Sequence, residues 1–201
     1  MERYLSYLGE YKAPQRYRVE KFTEGDVKEA LINTYQWHVA ATAKEYDTKI
    51  APFIEKAAKW LCGNYKPGLL LYGTIGSGKT TLYNSIIKYL AITEPSMEIR
   101  TYQAIALTRC FTDRERAQEI KTVAALFIDD LGEEPVTVKD YGNEVSPVIE
   151  TLYYRYEKRM FTVITTNKTE KEIREIYGAR IEDRIKEMFD RIYFNNESYR
   201  K

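Results

Sequence analysis

The residues with the clearest chemistry are Gly73-Thr-Ile-Gly-Ser-Gly-Lys-Thr80, a complete GxxxxGK[ST] segment. Gly73, Gly76 and Gly78 permit backbone angles and a close approach that a Cβ would block. The N–H groups of the loop, from Gly73 through Thr74, Ile75, Gly76, Ser77 and Gly78 to Thr81, can then face an anion as a nest. A helix opening at Lys79 adds its positive end. Lys79 is predicted to reach the β- and γ-phosphates of a nucleotide, and the Thr80 hydroxyl to ligate Mg²⁺. ATP and Mg²⁺ are the expected ligands.

An acidic partner follows in Ala125-Leu-Phe-Ile-Asp129-Asp130. Four apolar residues fix a strand, and the carboxylates emerge at its C-terminal end, where parallel sheets bind ligands. Asp129 is predicted to hold Mg²⁺ through water. Asp130 is placed to orient or deprotonate an attacking water. It is a methylene shorter than glutamate, so slow turnover is expected. Glu133 and Glu134 follow closely and could serve instead, although they read first as solvated loop charges. Phe161-Thr-Val-Ile-Thr-Thr-Asn167 runs a second apolar strand into an amide suited to hold the lytic water or touch the γ-phosphate. Arg180 and Arg184 share one helix face. They form a salt-bridged surface, or Arg184 completes a neighbouring subunit's site as an arginine finger. Arg200 is a candidate second γ-phosphate sensor.

The elements that must position these residues alternate between strand and helix. The segments 69–72, 99–102, 125–128, 161–165 and 191–194 read as strands. Helices are expected at 79–91, 103–111, 147–159 and 179–188, with another opened by the capping box Thr169–Glu172 and closed by Gly178. The segment 112–119 is polar. This pattern predicts an α/β fold, a P-loop NTPase with a parallel sheet between two helical layers. Two helices are expected ahead of it, one capped by Thr23 and one over 52–62. Residues 1–64 are therefore read as an N-terminal arm and helical extension, a candidate for partner binding, and 65–201 as the ATPase core.

Composition sets limits. The chain has 201 residues, with 31 Lys+Arg against 30 Asp+Glu and a formal charge of +1. Such a balance argues against a generally basic coat, so a nucleic acid must be met by a local patch. Arg109, Phe111, Arg114 and Arg116 are the candidates, by phosphate contact and base stacking. No run approaches about 18 apolar residues, and the start lacks a leader pattern. Two cysteines and one histidine fall short of the roughly four ligands of a structural zinc site. The expectation is a cytoplasmic protein with no membrane segment, no zinc and reduced Cys62 and Cys110.

Together these residues resemble the AAA+ ATPases of the DnaC/DnaI helicase-loader and IstB-like family. The carriers are Gly73–Thr80, Phe127-Ile-Asp-Asp-Leu-Gly132, Val163-Ile-Thr-Thr-Asn167, Tyr177-Gly-Ala-Arg-Ile-Glu-Asp-Arg184 and Ser198-Tyr-Arg-Lys201. The resemblance covers 65–201. It implies that Asn167 is sensor 1, Arg184 the arginine finger and Arg200 the sensor 2 arginine on a minimal or absent C-terminal lid. It further implies ATP-dependent self-assembly on single-stranded DNA, with a replicative helicase or a transposase as partner. The loaders usually carry a larger N-terminal domain than the 64 residues found here. Two readings of other classes stay open: a P-loop nucleotide or small-molecule kinase, and a non-hydrolysing ATP switch that recruits a protein.

Overall fold

Five segments form one parallel sheet in the computed structural model, which describes residues 17–42, 45–63, 65–111, 113–140 and 143–199. The strands are β1 (Gly68–Gly73), β2 (Ile99–Gln103), β3 (Ala125–Asp129), β6 (Phe161–Thr166) and β7 (Phe189–Phe194), in the order β2-β3-β6-β1-β7. A two-stranded antiparallel hairpin, β4 (Val138–Asp140) and β5 (Asn143–Val145), lies between β3 and β6 in sequence. The central strands are buried on both faces, so they read as continuous apolar runs rather than alternating ones.

Alternate residues of each strand face opposite layers. Leu69, Leu71, Ala125, Phe127, Phe161, Val163, Ile192 and Phe194 pack with helices α1 (Glu24–Ala40), α2 (Ala51–Cys62) and α3 (Lys79–Thr93). Leu70, Leu126, Ile128, Ile164 and Phe189 pack on the other side with α4 (Ala104–Cys110), α5 (Arg114–Thr122), α6 (Pro147–Glu157), α7 (Glu170–Tyr177) and α8 (Ala179–Met188). The three layers agree with the α/β fold expected from the sequence. Among the described residues, no helix is long and apolar enough to cross a membrane.

The caps explain the boundaries. Thr23 and Asp26 form a capping box at α1, and Thr169 and Glu172 form one at α7. Pro147 sits at the start of α6, where its missing N–H costs nothing. Helix α5 begins in the polar segment 112–119, to which the sequence pattern assigns no element. Asp113 caps it by accepting from the N–H groups of Glu115 and Arg116 at 3.0 and 3.2 Å. Of its residues only Ala117 and Ile120 are buried, which is too narrow a stripe to show as periodicity.

Residues 17–63 share the apolar cluster of the sheet. Leu31 and Tyr35 of α1 and Ile54, Trp60 and Leu61 of α2 are buried against it. The Val19 N–H donates to Leu61 O at 2.9 Å, and the Trp60 indole N–H donates to Lys66 O at 3.0 Å. Most of the arm expected over 1–21 lies outside the described residues.

A buried arginine joins the second layer to the sheet. Arg155 of α6 is 0% exposed. It donates to the carbonyls of Lys121, Val123 and Phe161 and to the Thr162 hydroxyl, at 2.6 to 3.0 Å. Burial lowers its proton affinity. Three carbonyls and a hydroxyl converging on the guanidinium make a cationic side chain tenable there.

Candidate functional site

Strand β1 delivers the phosphate loop, and α3 begins at its end. Gly73 has φ +133°, and a Cβ there would lie 2.1 Å from the Phe194 carbonyl oxygen. Gly78 has φ +97°, and a Cβ there would meet the Tyr35 hydroxyl at 2.5 Å. Both glycines are thus demanded by backbone angle and by space. Lys79 is buried, and its ammonium donates to Gly73 O at 3.0 Å and Thr74 O at 2.7 Å. The side chains of Thr74 and Ser77 turn away from the nest: Thr74 Oγ1 donates to Asn196 O at 2.9 Å, and Ser77 Oγ to Thr74 O at 2.7 Å. Neither residue lines the cavity beside the loop.

A cavity of about 520 Å³ opens beside the loop. Ile75, Gly76, Gly78, Lys79, Thr80 and Thr81 line one side, and Asp130 and Asn167 lie across from them. The remaining wall comes from Tyr35, His38 and Val39 of α1, from Thr42, Glu45 and Asp47, and from Tyr199. Burial is the main cause that raises the phenol pKa of Tyr35, with Tyr199 contributing. For Tyr199 burial comes first and Asp47 second. Both tyrosines therefore present neutral rings to the cavity.

The acidic strand end is tied to both neighbours. Thr80 Oγ1 donates to Asp129 Oδ1 at 3.3 Å. The Thr165 hydroxyl donates to the same carboxylate oxygen and accepts the Asp130 N–H at 2.9 Å. Asp130 has φ +56°, a left-handed angle that aspartate tolerates better than most residues. Asn167 Nδ2 donates to Asp130 Oδ1 at 3.4 Å. The next turn is locked as well. The Leu131 N–H donates to Thr165 O at 2.9 Å, and Thr166 Oγ1 donates to Leu131 O at 2.6 Å.

This geometry tests the expected metal. A hydroxyl and a carboxylate, both hard oxygen donors, stand together at the foot of the phosphate loop. Mg²⁺ takes few protein ligands and keeps several waters, so Thr80 and Asp129 fit it.

Several sequence readings change. Glu134 is not a solvated loop charge. It is 6% exposed, and it accepts from the Gly132 N–H at 2.9 Å and from the Tyr177 hydroxyl. Glu133 pairs with Lys168 at 2.8 Å. Neither lines the cavity, which leaves Asp130 and Asn167 facing it. Phe111 is not available for base stacking: it is 5% exposed and packs in the apolar cluster of the α4–α8 layer. The apolar ring gains more from burial than from solvent. Arg109, Arg114 and Arg116 are exposed on α4 and α5. Arg184 lies away from the cavity, over the Tyr156 ring at 4.5 Å and donating to its hydroxyl at 2.7 Å. Arg200 lies outside the described residues. Thr165, Tyr35 and Tyr199 were missed as site residues. Only the polar end of β6 carried any signal for Thr165, since the tyrosines reach the cavity through tertiary packing.

The sheet order, the loop after β1, and the acidic end of β3 beside the polar end of β6 define a P-loop protein of the AAA+ fold. Among solved structures the chain is similar to DnaI, with a TM-score of 0.62 and 23% identity over 92% of this chain and 96% of that one. It is also similar to the DnaC helicase loader, with a TM-score of 0.59 and 18% identity over 80% and 98%. A third is the replication initiator DnaA bound to AMPPCP and single-stranded DNA, with a TM-score of 0.56 and 14% identity over 76% of this chain and 48% of that one. At these identities the likeness is one of fold. No protein-family profile matches the sequence, and comparison with characterised proteins finds no significant match.

Proposed function

We propose that this chain is an ATP-binding and ATP-hydrolysing AAA+ protein of DNA replication, of the helicase-loader type. In this reading it assembles with copies of itself on ATP and acts on single-stranded DNA. The observation that carries the reading is the meeting of Lys79, Thr80, Asp130 and Asn167 around one cavity, with Asp129 Oδ1 behind it 3.3 Å from Thr80 Oγ1. A phosphate nest alone would serve many nucleotide binders. A nest facing a paired aspartate and an amide serves hydrolysis.

The roles follow from position. The loop N–H groups and Lys79 hold the β- and γ-phosphates. Thr80 and Asp129 would hold Mg²⁺, which when bound would supply neutralisation of phosphate charge. Asp130 accepts a proton from the attacking water, and Asn167 orients that water together with Asp130. Tyr35 and Tyr199 supply apolar ring surface for the base. Arg184, outside its own cavity, acts on the site of a neighbouring copy. Arg109, Arg114 and Arg116 contact nucleic-acid phosphates. A helicase is the favoured protein partner because the helicase loaders share the fold over nearly their whole length; a transposase is the other.

The test is ATP turnover and light-scattering mass, with and without single-stranded DNA. The reading expects turnover that DNA raises, an ATP-dependent increase in mass, and loss of both in Lys79→Ala. ATP binding without turnover in any condition would instead indicate a non-hydrolysing switch.

A further inference from the structure

The phosphate loop is gripped on its outer face by the segment that follows β7. Tyr199 N–H donates to Gly76 O at 2.8 Å. Asn196 Nδ2 donates to Ser77 O at 2.9 Å, and Asn196 O accepts from Thr74 Oγ1 at 2.9 Å. Just before them, Phe194 O accepts the Thr74 N–H at 3.3 Å. The bonds fall on the carbonyls of two successive peptides within the loop.

Those carbonyls matter because a trans peptide is planar, with its C=O and N–H pointing in opposite directions. Holding Ser77 O from outside turns the Gly78 N–H inward. Holding Gly76 O fixes the next peptide, whose Ser77 N–H donates within the loop to Thr74 O at 3.4 Å. Glycines at 76 and 78 lower the cost of the required angles, but they lower the cost of wrong angles too. A loop free to flip its peptides would present carbonyl oxygens to the phosphates in part of its population. An external restraint removes those states before the ligand arrives.

We propose that residues 195–199 form a strap that sets the peptide orientation of the phosphate nest, with Asn196 as its positioning residue. The proposal rests on the nucleotide reading above and deepens it. Asn196 makes two of the strap bonds, one through its side chain and one through its backbone. It does not line the cavity, and its bonds reach the loop through Thr74 and Ser77. Tyr199 ties the same strap to the cavity, because its N–H holds the loop while its ring lines the cavity wall. A nucleotide that orders the nest therefore also orders the strap.

The test measures ADP and ATP affinity for the wild-type chain, Asn196→Ala and Asn196→Asp, together with the melting temperature without nucleotide. Asn196→Asp keeps the size of the side chain but cannot donate to Ser77 O. Both variants are expected to bind ADP and ATP about tenfold more weakly, by the same factor for the two nucleotides, with melting nearly unchanged. Amide exchange at 76–78 without nucleotide should rise in both. Wild-type affinity with wild-type exchange at the loop overturns the strap. So does a loss of affinity that tracks a fall in melting temperature and leaves loop exchange unchanged. A wild-type chain that binds neither nucleotide removes the nucleotide reading, and this inference with it; undiminished binding by the variants removes the inference alone.

Discussion

The Thr165 hydroxyl donates to Oδ1 of Asp129, and through the same oxygen it fixes the Asp130 N–H at 2.9 Å. One threonine thus links the end of β6 to both carboxylates at the end of β3. Thr165→Val keeps the shape and removes donor and acceptor together. It is expected to cost about 1–3 kcal/mol, because Asp130 N–H and Asp129 lose a buried partner. The Mg²⁺ concentration needed for half-maximal ATP turnover should rise, while Thr165→Ser stays near wild type. A magnesium titration of the three proteins checks this.

Asp130 holds a left-handed angle and faces the cavity with Asn167 3.4 Å away. Asp130→Asn preserves tolerance of that angle and removes the proton acceptor. Turnover should fall about 10²–10³-fold, with ATP affinity nearly kept. Asp130→Gly should lose turnover equally but relieve about 1 kcal/mol of backbone strain. Its denaturation midpoint should not lie below that of Asp130→Asn. Single-turnover hydrolysis and urea melts measure both.

Arg184 makes its contacts with Tyr156 and Glu187. Arg184→Ala is expected to change stability by no more than about 1 kcal/mol, since the group is partly exposed. Turnover in the assembled state should fall by about 10³ with ATP binding intact, if the arginine serves a neighbour. Mixing Arg184→Ala with Asp130→Asn protein should restore part of the activity. No recovery at any ratio would assign Arg184 to its own surface alone.

The α4–α5 region separates two effects. Phe111→Ala should destabilise by about 3–5 kcal/mol, as a buried ring does, and impair DNA binding only through folding. Arg114→Ala with Arg116→Ala should leave melting unchanged. It should weaken single-stranded DNA binding and shallow its logarithmic salt slope by about 1–2. Melting curves and binding across a salt series distinguish these.

The capping boxes predict an acid limb. Hydrogen bonds from the Thr169 backbone and hydroxyl hold Glu172 below its ordinary 4.5. The Thr23 hydroxyl and backbone do the same for Asp26, below 3.8. A lowered folded value means stability that is present above the unfolded value and is lost as pH falls through the folded one. Glu172→Gln should therefore melt below wild type at neutral pH, and the gap should close in acid. Melting temperature against pH for the two proteins is the measurement.

Local order explains which features the sequence revealed. The phosphate loop, the Asp129–Asp130 strand end and the Thr169 capping box are written in adjacent residues, so residue type and spacing show them directly. The hairpin of β4 and β5 was not anticipated, because Val138 to Val145 has neither a long apolar run nor a clear alternation. Phe111 sits in a run of arginines and looks like a surface residue. Its burial depends on Ala117, Ile120 and the sheet, which no local window contains. The cavity wall from Tyr35 to Asp47 and the strap at Asn196 arise the same way, from segments far from the loop in sequence.

The sheet order has a consequence for how the protein is made. Strand β1 pairs on one side with β6 and on the other with β7, from Gly68 opposite Thr162 and Phe189 onward. The phosphate loop emerges from a strand synthesised early, yet both of its flanking strands are synthesised late. A ribosome-bound chain therefore carries residues 73–80 without the partners that shape them until residues 189–199 have emerged. On the proposed nucleotide reading, capture becomes a late event of synthesis, and a chain stalled before β7 would hold its motif complete and its site unbuilt.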